Sequence, residues 1–128
     1  MRTNKRVSAI IIKDSQVLLI HRFKEGKEYW VLPGGGVEEG ESIGKALKRE
    51  IKEETSLDLI SSKYLGFDKQ KDSMDYFFSC TLSKGEPLLA GPEEENSSEE
   101  NVYLLEWFPL SDIPSLELYP QAAKNYLK

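Results

Sequence analysis

Cysteine and histidine are almost absent: the 128 residues contain one of each, Cys80 and His21. One thiol excludes an intrachain disulfide and fits a reducing, intracellular compartment. Cys80 lies in the apolar run Tyr76–Cys80, with no histidine or basic residue beside it. It reads as a buried, inert thiol rather than a nucleophile. With one histidine, read as structural, the chain shows no serine, cysteine or histidine constellation that would point to a covalent intermediate. Long apolar runs are also missing. Val7 to Ile12 is too short for a signal segment and is stopped by Lys13-Asp14, and no stretch approaches the roughly 20 residues needed to span a bilayer. A cytoplasmic protein is expected. No basic stripe is visible and the net charge is −5, which argues against general nucleic-acid binding. An acidic chain acting on an anionic phosphate needs a local cation, and a divalent metal is one such remedy.

Hydrophobic residues make up 39% of the chain, and its length suits one domain spanning residues 1–128. The apolar, β-branched runs Val7–Ile12 and Gln16–Arg22, separated by Lys13-Asp14-Ser15, predict a β-hairpin. Tyr29–Leu32 is a short extended piece, and Gly34-Gly35-Gly36 a flexible loop of close approach. A helix is expected from Ser42, its N-cap, to about Ser56, with Ile43, Leu47 and Ile51 on the core face. Strands are expected over Leu57–Phe67, Tyr76–Leu82, Pro87–Ala90 and Val102–Phe108, with a carboxylate-rich loop at Gly91–Asn101 and a closing helix over Pro120–Lys128. This order predicts an α/β fold, a mixed sheet with helices packed on it.

The informative segment is Gly34 to Leu57. At about 100° per residue, Glu50 and Glu54 stack on one face and Glu53 lies about 60° to the side of Glu50. Glu50 and Glu54 fall about 20° on either side of Ile43, in the core-facing sector rather than opposite it. Clustered acids beside a core need a compensating cation. The helix alone leaves two readings open: an acidic surface with ordinary ion pairs, or a site for Mg²⁺ or Mn²⁺, hard cations that take oxygen ligands. A glycine loop feeding directly into three carboxylates shifts the balance towards the metal.

These residues resemble the Nudix box, G-x5-E-x7-R-E-U-x-E-E-x-G-U with U a bulky aliphatic. Gly35, Glu41, Arg49-Glu50-Ile51, Glu53-Glu54 and Leu57 occupy its positions, and Leu32-Pro33-Gly34 looks like the usual approach. Ser56 stands where the pattern has glycine, at a helix end where a left-handed backbone is favoured; serine adopts it at a cost of roughly 1 kcal/mol. The resemblance implies a three-layer α/β/α sandwich and a metal-dependent hydrolase that cuts a diphosphate linkage in a nucleotide-type substrate by water attack on phosphorus. It implies metal ligands at Glu50, Glu53 and Glu54, helped by a carbonyl of Gly34 or Gly35. One glutamate would help to deprotonate water, Arg49 would hold a box glutamate in place, and Glu41 would be a supporting acid. A later carboxylate often joins such sites. Glu93, Glu94, Glu95, Glu99 and Glu100 are available, and Glu100 is favoured by its place shortly before the Trp107 strand.

Substrate contacts are expected from Arg22, at the end of the second strand, and from Tyr29 or Trp30, with Phe67, Tyr76 and Tyr103 as weaker aromatic candidates. The ADP-ribose subgroup tends to carry a proline about fifteen residues beyond the box, and Lys71–Tyr76 has none. Nucleoside triphosphates and dinucleoside polyphosphates remain open as substrates, and the chain is expected to be a monomer or homodimer. A nucleotide-sensing module without catalysis is the alternative. It could dispense with box carboxylates, and this chain keeps them all.

Overall fold

The computed structural model describes residues 2–87 and 101–127. Its strands are β1 (Arg2–Ile10), β2 (Ile12–Lys13), β3 (Gln16–Lys24), β4 (Lys27–Val31), β5 (Gly34–Glu38), β6 (Leu59–Lys69), β7 (Met74–Leu82), β8 (Asn101–Pro109) and β9 (Leu118–Tyr119). One α-helix, α1 (Ile43–Thr55), follows β5, and 3₁₀ segments span Leu110–Ser115 and Gln121–Tyr126.

Two sheets form. One has the order β5-β1-β7-β6; the other runs β2-β3-β4-β9, with β8 paired to β3. Both are mixed: β1 pairs with β7 in parallel and with β5 antiparallel, while β4 pairs with β9 in parallel and with β3 antiparallel. The α/β fold with mixed sheets is therefore as expected. The predicted first hairpin is not. The apolar run divides at Ile11, so that β1 belongs to one sheet and only Ile12–Lys13 pairs with Gln16–Val17 in the other. A continuous apolar run carries no mark of where the chain changes sheets, and here its end, Ile12, is exposed although it is apolar.

Strand alternation splits β1 between two cores. Val7 and Ala9, with Ile11 just beyond the strand, join Leu47 and Ile51 of α1 in one cluster, while Ile10 joins Phe77, Leu19 and Leu32 in the other. The second cluster is closed by the 3₁₀ segments through Ile113 and Ala123, and Tyr126 stacks on Phe77 at 4.9 Å. The closing helix expected over Pro120–Lys128 is thus a short 3₁₀ segment among the described residues. Gly34–Gly36 is likewise strand rather than loop, with Gly36, Gly35 and Gly34 opposite Arg6, Val7 and Ser8. The expected strand at Pro87–Ala90 runs from the last described residue of its segment into residues outside the description. Most of the acidic loop lies there too, although Asn101 opens β8.

Candidate active site

Helix α1 begins as its sequence dictates. Ser42 accepts a hydrogen bond from the Lys45 N–H at 3.2 Å and so satisfies one of the unpaired donors of the first turn. It ends at Ser56, in the left-handed region with φ 65°, whose N–H bonds the Lys52 carbonyl at 3.0 Å. Serine therefore holds the conformation that glycine favours. Between these ends, Ala46, Leu47 and Ile51 are buried, and Glu50 and Glu54 are buried with them, at 2% and 3% exposure. The helical period had placed both acids in the core sector, and they are found there.

Two close approaches fix these carboxylates. The Gly34 N–H donates to Glu54 Oε1 at 2.6 Å. A Cβ built on Gly35 would lie 2.5 Å from the Glu50 carboxyl carbon, so any other residue there would push the acid out of this position. Gly34 is more tightly constrained, since its Cβ would fall 2.0 Å from the Val7 carbonyl oxygen, a backbone atom that cannot swing aside.

Arg49 ties the arrangement to the loop before the helix. Its Nε and Nη2 donate to the two oxygens of Glu41 at 2.8 and 2.9 Å, Nη1 donates to Glu50 at 2.9 Å, and Nη2 also reaches the Gly36 carbonyl at 3.0 Å. Glu41 in turn accepts from the Glu38 N–H at 3.0 Å. The paired Glu41 oxygens engage the planar fork of the guanidinium, a geometry lysine cannot reproduce. The hydrogen bonds that Arg49 donates to Glu41, then its interactions with Glu50, raise the Arg49 pKa against the opposing effect of burial.

Glu50 and Glu54 line a cleft of about 350 Å³ together with Gly34, Gly35, Arg22 and Tyr103. Arg6 and Ser8 of β1, Tyr119 at the end of β9 and Pro120 just after it also line its walls. Arg22 stacks its guanidinium 3.7 Å from the Tyr103 ring centroid. Glu53 is not among the lining residues. It lies 3.6 Å from Arg49 Nη1, on the helix flank. Among the described residues, no three acidic, histidine or cysteine side chains are close enough to form a ready metal cage. The cleft instead offers two buried carboxylates beside glycine backbone, hard oxygen donors of the kind Mg²⁺ takes when substrate phosphates supply further ligands. In donor chemistry and crowding, this set fits a divalent ion. Glu53 stands one helical neighbour away. Glu93, Glu94, Glu95, Glu99 and Glu100 lie outside the described residues.

The aromatic candidates divide. Tyr103 reaches the cleft. Trp30 stacks on His21 at 4.5 Å and meets Phe108 edge-on, and it does not line the cleft. Tyr29 borders a shallow neighbouring depression with Lys24, Lys27 and Tyr119. Phe67 and Tyr76 group with Tyr64 instead. His21 bridges Glu106 and Glu28, at 2.8 Å each, a structural placement. Cys80 is buried, which pushes its pKa up to about 12 and keeps it protonated. Arg6, Ser8 and Tyr119 were not singled out from sequence. They come from strands remote in the chain, and only their alternation on β1 or closeness to Pro120 marks them.

A NUDIX domain profile matches residues 2–128. The chain is similar to the ADP-ribose pyrophosphatase of Methanocaldococcus jannaschii, with 33% identity in an alignment that covers 95% of this chain and 72% of that protein. It is also similar to the 8-oxo-dGTP diphosphatase of Buchnera aphidicola, 32% identical over 88% of this chain and 82% of the relative. Other relatives are longer, and the chain spans only 30% of one. Among solved structures, the MutT NUDIX hydrolase from Burkholderia pseudomallei superposes with a TM-score of 0.75 at 27% identity, covering 99% of this chain and 96% of the other. Among the described residues, no helix is long and apolar enough to cross a membrane.

Proposed function

This chain belongs to the Nudix family, and from that premise we propose that it is a Mg²⁺-dependent pyrophosphohydrolase that cuts a diphosphate linkage in a nucleotide by water attack on phosphorus. The observation that carries the reading is the pair of carboxylates, Glu50 and Glu54, almost wholly buried yet lining one open cleft. Buried acids with no task are expensive to keep ionised. These two sit where a cation and a polyphosphate can use them.

In this reading Glu50, Glu53 and Glu54 would hold the metal, with backbone of Gly34 or Gly35 beside them. The bound ion supplies charge neutralisation of the phosphates and lowers the pKa of water. The chain supplies the rest. Arg49 fixes the Glu50 rotamer through its bond at 2.9 Å and is itself anchored by Glu41. The Gly34 N–H fixes Glu54. One box glutamate accepts the proton from the attacking water. Arg22, packed flat on Tyr103, borders the cleft and meets a phosphate oxygen of the substrate.

The relatives' names divide over substrate, one an ADP-ribose pyrophosphatase and another an 8-oxo-dGTP diphosphatase. The absence of proline from Lys71–Tyr76 supports nucleoside triphosphates or dinucleoside polyphosphates over ADP-ribose. We place the chain in the cytoplasm, in keeping with its single cysteine, and as a monomer or homodimer.

Phosphate and pyrophosphate release from a panel of nucleoside triphosphates, dinucleoside polyphosphates and ADP-ribose, with Mg²⁺, Mn²⁺ or chelator, tests the reading. Turnover that needs the metal and selects among these substrates is expected. Tight nucleotide binding without any metal-dependent turnover would replace the reading with a nucleotide-sensing role.

A further inference from the structure

One wall of the cleft carries Arg6, and its strand partner behind that wall is a buried acid, Asp75, where the strand pattern calls for an apolar side chain. On β1 the face that buries Ile10 also presents Ser8 and Arg6. On β7 the face that buries Phe77 presents Asp75, which is 5% exposed. Arg6 and Asp75 are register partners across the parallel β1–β7 pair. Arg6 Nε lies 3.4 Å from Asp75 Oδ1, and that oxygen, though buried, accepts no hydrogen bond. Burial raises the Asp75 pKa, Arg6 lowers it, and Asp68 raises it further. Asp75 is buried while the Arg6 side chain is about half exposed (51%), and their 3.4 Å approach makes no hydrogen bond, so the pair contributes little as a structural ion pair. Asp75 is better explained as a group that aims its partner.

Resting on the nucleotide reading above, we propose that Arg6 is a specificity-determining residue that reads the nucleobase, with Asp75 as its positioning residue. The nearest approach to Asp75 is through Nε, at 3.4 Å, and the two terminal nitrogens form a further pair of parallel donors. Arg6 lines the same cleft as Glu50 and Glu54, so a substrate whose phosphates lie at the carboxylates has its remaining part within reach of Arg6. The Asp75 carboxylate beside Arg6 lessens the local positive charge, which suits a neutral acceptor better than a phosphate. Two parallel donors match two adjacent acceptors, and among the purines guanine presents such an edge through O6 and N7, whereas adenine pairs an acceptor with a donor. Guanine nucleotides are therefore the preferred class.

Calorimetric binding in Mg²⁺ tests this with three probes: the α,β-methylene analogues of GTP and ATP, which resist cleavage at that bridge, and inorganic tripolyphosphate, which has no base. The wild-type chain should bind the GTP analogue roughly tenfold or more tightly than the ATP analogue, the discrimination one bidentate contact provides. Arg6→Ala should lose that preference by weakening the GTP analogue alone, with tripolyphosphate binding held within about twofold. Asp75→Asn, which keeps the shape of the side chain, should weaken the GTP analogue in the same direction without weakening tripolyphosphate. Unchanged GTP-analogue binding in Arg6→Ala, or equal loss of tripolyphosphate, overturns the inference and leaves the hydrolase reading standing. A wild-type chain that binds no probe overturns both. Thermal melts of each variant separate loss of contact from loss of fold.

Discussion

Gly35 has no side chain where Glu50 has its carboxylate: a Cβ there would stand 2.5 Å from the Glu50 carboxyl carbon. The glycine of the box is thus the floor on which a buried acid rests. Gly35→Ala should displace that acid and lower kcat by about 10²-fold, the effect of misplacing a reacting group by an ångström or so. Steady-state kinetics at saturating Mg²⁺, beside a thermal melt, measure it. Wild-type kcat would show that Glu50 moves aside without consequence.

Arg49 is the second support. Arg49→Met leaves Glu50 buried without its guanidinium partner, which should destabilise the fold by about 3 kcal/mol, the lower end for breaking a buried pair. Arg49→Lys keeps the charge but not the fork shared with Glu41, so activity should fall while stability is partly recovered. Chemical denaturation of both variants reads the difference. Equal stability in wild type and Arg49→Met would reduce the network to a surface ion pair.

Ser56 pays for a left-handed backbone at φ 65°. Ser56→Gly should raise stability by up to about 1 kcal/mol and leave turnover unchanged. A clear loss of stability would mean that the serine side chain outweighs the backbone relief.

His21 sets a pH dependence. Burial disfavours its charged form, but hydrogen bonds and charge attraction from Glu106 and Glu28 outweigh that, so its pKa is raised above the usual 6.5. A raised histidine pKa stabilises the folded state fully below the unfolded value and loses that contribution as pH rises through the folded value. The melting-temperature gap between wild type and His21→Gln should therefore be widest below pH 6.5 and narrow at higher pH. A gap that stays constant with pH would show that stacking on Trp30, not charge, holds the ring.

The helix and its acids were legible in the sequence because a 3.6-residue period fixes both face and neighbour. Glu50 and Glu54 fell in the core sector and are buried there, and Ser56 marked a left-handed end. What failed to show was contributed from a distance. Arg6, Ser8 and Tyr119 reach the cleft through sheet pairing, which local pattern does not encode. Gly34–Gly36 read as loop because glycine is poor in strands, yet the missing side chains are what let this strand pass beneath Glu50 and against Val7. Tyr29 and Trp30 were adjacent to the glycines in sequence, but β4 carries Trp30 onto His21 and Tyr29 to a depression outside the cleft.

The central claim, that box carboxylates and a divalent ion perform the hydrolysis, is tested most directly by the turnover of Glu54→Gln. Glutamine keeps the length and can still accept from the Gly34 N–H, so the helix and loop should stay as they are. The lost charge weakens the metal site and removes a possible base; loss of base assistance alone is typically about 10²–10⁴-fold. Glu53→Gln should fall similarly, and Glu93→Gln, outside the box, by much less. At saturating substrate and Mg²⁺, with folding verified, the account predicts a kcat for Glu54→Gln at least about 10²-fold below wild type. Wild-type turnover in both box variants would contradict it.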